Sequence, residues 1–168
     1  GINTNYTLKP DFSWAVINVD KIVNKYFGKK FILLFPFCSP QLQHKKWPYY
    51  NNLINLVKKE YPNFEFAVAP GPNETEEANK INTTVITNNE KSLNLMELAG
   101  LIQKSSFVIS NDTGPAHMAA HLGKKGIAIF GYHTTPKKVS IETEKFKTIT
   151  VNNLNNLLAE EVFSKIKE

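Results

Sequence analysis

The stretch Ser110-Asn111-Asp112-Thr113-Gly114-Pro115-Ala116-His117 concentrates residue types from which an oxyanion site is made. A glycine turns the chain and a proline suits the first turn of a helix. The N–H groups of Thr113, Gly114 and the turn that follows have no helical partner, and such a helix start attracts phosphate or another oxyanion. Asp112 would repel phosphate at close range and fits better as an acceptor for sugar hydroxyls. His117 falls on the first helical turn, within reach of a phosphate or a sugar. A plainer reading stays open: Asp or Thr is an ordinary N-cap and His117 an ordinary helix residue. Asp-Thr-Gly also marks aspartic proteases, but there the motif needs an all-β setting and a partner Asp, whereas here a strand leads in and a helix leads out.

Two other segments carry candidate chemistry. In Cys38-Ser39-Pro40-Gln41-Leu42-Gln43-His44-Lys45-Lys46-Trp47-Pro48, Ser39 offers a hydroxyl, Lys45 a mobile cation, and Pro48 a first-turn position, a set that suits a diphosphate. Lys45 and Lys46 as plain solvated lysines is the alternative; Trp47 reads as a packing anchor and Cys38 as a small packing residue. In Ala69-Pro70-Gly71-Pro72-Asn73-Glu74, Glu74 at a strand tip could accept two ribose hydroxyls, or Glu74, Glu76 and Glu77 could merely favour a helix start. His44, His121 and His133 have no metal-ligand spacing with carboxylates or cysteines, and the His117/His121 pair lacks a third ligand. Neither a metal nor another cofactor is expected.

The elements that must position these loops follow from apolar runs and breakers. Phe31–Phe35, Phe64–Val68, Thr84–Ile86, Phe107–Ser110, Ile127–Phe130 and Phe146–Val151 read as strands. Between them lie a stripe of Leu53, Ile54, Leu56 and Val57 ending at about Glu60, a short acidic helix from Glu74 to Lys80, and a helix from Leu93 to Gln103 capped by Ser92, with Leu95, Leu98, Ala99 and Ile102 inward. A helix from Pro115 to about Leu122 has Gly123 as its C-cap. Residues 154–167 read as a last helix, with Leu154, Leu157, Leu158, Val162 and Ile166 inward. The alternation predicts an α/β domain with a doubly wound, mainly parallel, Rossmann-like sheet over 30–168, preceded at 1–29 by a lead-in segment or linker with a first helix. Ligands of such sheets bind past the carboxyl ends of the strands, where 36–47, 69–77 and 111–117 all fall.

Composition limits the rest. With 168 residues, 42% hydrophobic and 21% charged, the chain has enough apolar material for one core. Its net charge is +5 and every basic residue is a lysine. That reads either as compositional drift of an AT-rich genome or as attraction to an anionic partner. Nucleic acid is disfavoured, because arginine is absent and no run of five basic residues occurs. A single cysteine excludes an internal disulfide and suits a reducing compartment. No stretch approaches the roughly 18 apolar residues of a membrane span, and no signal peptide opens the chain, so a cytoplasmic location is expected. Gly1 in place of Met leads us to expect a piece of a longer protein.

Lys45-Lys46-Trp47-Pro48, Gly71-Pro72-Asn73-Glu74 and the long run Asp112 to Gly123, together with Phe130-Gly131, resemble glycosyltransferase family 9, the heptosyltransferases. The resemblance covers about residues 30 to 135 and departs mildly at Gly126, where members often carry proline or valine. It implies the donor-binding half of a two-domain GT-B enzyme that moves a heptose, or a related sugar, from ADP-heptose to lipopolysaccharide core. On that likeness Lys45 corresponds to the diphosphate lysine, Ser39 lies near the hydroxyl donor, Glu74 matches the ribose carboxylate, and Asp112, Thr113, Gly114 and His117 surround the sugar and phosphates. The catalytic base and acceptor site belong to the absent N-terminal half, so this piece alone is expected to transfer nothing. The implied partners are an ADP-sugar donor and a lipopolysaccharide-core glycolipid acceptor, with peripheral contact at the cytosolic face of the inner membrane. The alternatives are a non-catalytic nucleotide- or sugar-binding module, or another nucleotide-sugar enzyme such as an epimerase.

Overall fold

Phe31–Phe35 (β1) and Gly126–Phe130 (β5) are buried along their whole length. That is what uninterrupted apolar runs demand of strands covered on both faces. A computed structural model describes residues 10–28 and 30–167; residues 1–9 of the expected lead-in, Lys29 and Glu168 lie outside the described residues. The other strands are Glu65–Val68 (β2), Thr84–Val85 (β3), Phe107–Asn111 (β4) and Phe146–Thr150 (β6). All pair in parallel, in the order β3-β2-β1-β4-β5-β6. The order reverses direction between β1 and β4, which makes their carboxyl ends the topological switch point of a doubly wound sheet.

The helices are Asp20–Tyr26 (α1), Tyr50–Glu60 (α2), Thr75–Ala78 (α3), Leu95–Lys104 (α4), Gly114–His121 (α5), Pro136–Val139 (α6) and Ala159–Ile166 (α7). They give the sheet a core on each face. Trp47, Leu53, Ile54, Val57, Leu154 and Val162 pack on one side; Leu101, Ile102, Ala116, Ala119 and Ala120 pack on the other. None of these helices is long and apolar enough to cross a membrane.

Several local expectations need correction. The cap of α4 is Asn94 rather than Ser92: its side chain accepts from the Met96 and Glu97 amides, while Glu97 reaches back to the Asn94 N–H, a complete capping box. Leu95 then occupies the first helical position, before the helix lies over the sheet, and is 70% exposed. Pro48 stands just ahead of the N-cap Tyr49 and not in the first turn of α2. The expected last helix is two pieces, a 3-10 turn at Leu154–Asn156 and then α7. Leu158 caps the second piece in extended conformation, so the apolar phase resets and Leu158 faces solvent. At Gly126 a Cβ would lie 2.5 Å from the Phe146 ring and 2.6 Å from the Val108 carbonyl oxygen. The missing side chain is therefore the space that Phe146 fills.

Candidate functional site

Asn111 ends β4 as a fully buried polar residue, and its hydrogen bonds assemble the switch point. Its Nδ2 donates to the Pro36 carbonyl at 2.7 Å, just beyond β1. Its Oδ1 accepts from the Trp47 amide at 3.3 Å and the Tyr50 hydroxyl at 3.1 Å. The carboxyl ends of both central strands and the entry to α2 are thereby tied to one side chain. Trp47 is 1% exposed and donates its indole N–H to the Leu157 carbonyl at 2.9 Å, which is the packing role expected of it.

The next residue, Asp112, is the electrostatic centre. Its side chain is 5% exposed. Lys45 Nζ lies 2.7 Å from Oδ2, His133 Nε2 lies 2.8 Å from the same oxygen, and His117 Nε2 stands 3.7 Å from Oδ1. Desolvation acts to raise the pKa of this carboxyl, but the contacts from His117, Lys45 and His133 outweigh it and hold the group well below the usual carboxylate range. Lys45 is thus not the free cation that the sequence suggested; it is already engaged. Asp112 in turn keeps chiefly Oδ1 for a hydroxyl. Its repulsion of an incoming phosphate is offset by the Lys45 ammonium beside it.

Beyond Asp112 the chain enters α5 with Thr113 as the N-cap and Pro115 in the first turn. The Ala116 and His117 amides turn back on the Thr113 carbonyl at 3.1 and 3.4 Å. The Thr113 and Gly114 amides have no partner among the described residues. The Thr113 hydroxyl does not cap the helix but contacts Ser110 Oγ at 3.1 Å. After β2, Asn73 takes a left-handed φ of 85°. Glu74 follows, one carboxylate oxygen accepting the Gly71 amide at 2.7 Å. Lys46 pairs with Glu77 at 2.5 Å, so neither is available to the site. Burial pushes the Cys38 thiol up, which suits packing and not nucleophilic attack.

These loops enclose one cavity of about 780 Å³. Ser39, Lys45, Glu74, Asp112, Thr113, Gly114 and His117 all line it, so the three segments expected to converge do so. An apolar wall from Leu93, Leu98, Pro70 and Val139 completes it. The sequence reading missed that wall, as well as Asn111 and His133. A polar residue closing an apolar strand was a usable signal for Asn111, but nothing in the spacing marked His133. Among the described residues no group of three or more His, Cys, Asp or Glu side chains is arranged so that it could hold a metal ion.

The profile of glycosyltransferase family 9 (heptosyltransferase) matches residues 4–165. The chain belongs to glycosyltransferase family 9. Within the family it is similar to the lipopolysaccharide core heptosyltransferase OpsX of Haemophilus influenzae, 30% identical over 138 residues, which is 79% of this chain and 36% of that protein. The E. coli heptosyltransferase WaaC, solved with ADP, superposes with a TM-score of 0.73 at 19% identity, over 95% of this family 9 chain and 49% of that one. The fold is accordingly one half of a GT-B glycosyltransferase. The chain spans about half or less of the length of the relatives it matches. The UDP-GlcNAc 2-epimerase of Neisseria meningitidis shares the architecture at a TM-score of 0.56 and 16% identity, over 88% of this chain and 38% of that one. The sheet by itself therefore does not separate the two chemistries.

Proposed function

We propose that residues 30–168 are the nucleotide-sugar-binding half of a heptosyltransferase, taking ADP-heptose as donor and lipopolysaccharide core as acceptor. The observation that carries this is the meeting of Lys45, the open amides of Thr113 and Gly114, and Glu74 in one cavity at the switch point. In this reading the α5 start and Lys45 bind the diphosphate and stabilise it as it departs from the anomeric carbon. Ser39 adds a hydroxyl and Glu74 accepts from the ribose. Asp112 and His117 hold sugar hydroxyls or the proximal phosphate. The base that deprotonates the acceptor comes from a second half, and no metal takes part. The work is done at the cytosolic face of the inner membrane, where the acceptor glycolipid is anchored.

Calorimetry with ADP, UDP and GDP tests the reading. Binding of ADP in preference to UDP and GDP is the expected result. A preference for UDP would move the assignment toward the epimerases, whose architecture is shared. Binding of none of the three would leave a non-catalytic module.

A further inference from the structure

His133 lies outside every motif that marks the site, yet it makes one of the two shortest contacts to Asp112. Its side chain is 8% exposed. The ring stacks on Phe130, with centroids 6.2 Å apart and planes 12° apart, and His44 meets it edge-on at 5.4 Å. Nε2 shares Asp112 Oδ2 with Lys45. The other nitrogen, Nδ1, is buried beside Gly131 with no partner among the described residues. A proton on Nδ1 would have no acceptor, so the arrangement is satisfied by the tautomer that carries its proton on Nε2 and donates to the carboxylate.

Two donors on one oxygen matter because one of them is wanted elsewhere. A diphosphate competes with Asp112 for the Lys45 ammonium. Were Lys45 the sole close partner, its departure would strip a nearly buried carboxylate, a costly state. Lys45 rides a flexible stem from a 3-10 turn, whereas the His133 ring is held by Phe130. We propose that His133 is a positioning residue that retains Asp112 while Lys45 swings to the donor's phosphates. The Lys45–Asp112 pair then gives way when a diphosphate binds, and the His133–Asp112 pair persists. This rests on the assignment of Lys45 to the diphosphate made above.

The test is ADP calorimetry on the whole chain, with melting temperatures, for Lys45→Met, His133→Phe, His133→Gln and the Lys45→Met/His133→Phe double variant. Phe keeps the stack on Phe130 but has no donor; Gln presents an N–H to Asp112. Lys45→Met should weaken ADP binding about 10- to 100-fold, the range for a hydrogen bond to a charged group. His133→Phe should weaken it by about fivefold with little change in melting temperature, and His133→Gln should restore most of the loss. In the His133→Phe background, Lys45→Met should cost much less than in the native chain. If the Phe variant does not fold, His133→Asn, whose shorter amide falls short of Asp112, makes the same comparison.

Native-like ADP binding by His133→Phe, additive losses in the double variant, or a Gln variant as weak as Phe would each overturn the proposal. If Lys45→Met leaves affinity unchanged, the diphosphate assignment falls and takes this one with it. If Lys45→Met weakens binding equally in both backgrounds, only the role of His133 falls.

Discussion

At the scale of single residues, Asp112 sets how the site responds to acid. Its folded pKa lies below the ordinary value of 3.8 because the hydrogen bonds from His117, Lys45 and His133 outweigh desolvation. On acidification the unfolded chain therefore takes up this proton first. The group's contribution to stability is fully present above about pH 4 and is lost as the pH falls through the folded value. The expected outcome, read from urea midpoints between pH 7 and pH 3, is that the difference between the native chain and Asp112→Asn is constant at neutral pH. It should shrink below about pH 4. A difference that grows with acidity would contradict the assigned direction. That the seven candidate residues would meet was legible because loop chemistry after a strand is local: Gly114, Pro115 and His117 announce a helix start without any knowledge of the fold. His133 was not legible, because its partner is 21 positions away across the β4 and β5 ends. Only the strand order brings the two together.

At the scale of elements, the strands with long apolar runs could be placed from sequence to within a residue or so, since complete burial leaves no competing pattern. Helix phase was read less well. Leu98, Ala99 and Ile102 face inward as their spacing implied, but Leu95 belongs to the capping turn, and at Leu158 an extended residue restarts the count. Gly126 shows how two strands settle one choice. Valine is favoured over glycine in a strand by up to about 1 kcal/mol. Its Cβ would here enter the space of the Phe146 ring and the Val108 carbonyl. Overpacking a filled site costs about 1–3 kcal/mol, so the steric effect wins. Gly126→Val is expected to destabilise the chain, read as a lower urea midpoint at unchanged slope. An equal or higher midpoint would show that β5 and β6 have more slack than these contacts allow.

For the whole molecule, the cavity opens at the carboxyl ends of the strands, its walls supply an ammonium, open amides and acceptors, and both carboxylates that line it already hold partners. Asp112 is committed to its three basic neighbours and Glu74 to the Gly71 amide. On the proposed reading, the chain supplied with ADP-heptose and deep-core acceptor should show no product by mass spectrometry, even when it binds ADP. Turnover by the isolated chain would place a base within these residues and would end the division of labour proposed here.

Trp47 gives the distal end of the chain a say in all of this. Its amide is held by Asn111 and its indole by the carbonyl of Leu157, so the backbone two residues past Lys45 is clamped between the sheet's centre and a turn 110 positions later in sequence. The closing turn and α7 thus act as a strut under the loop that carries the lysine. Loosening that strut would blur the aim of Lys45 long before it disturbed the sheet.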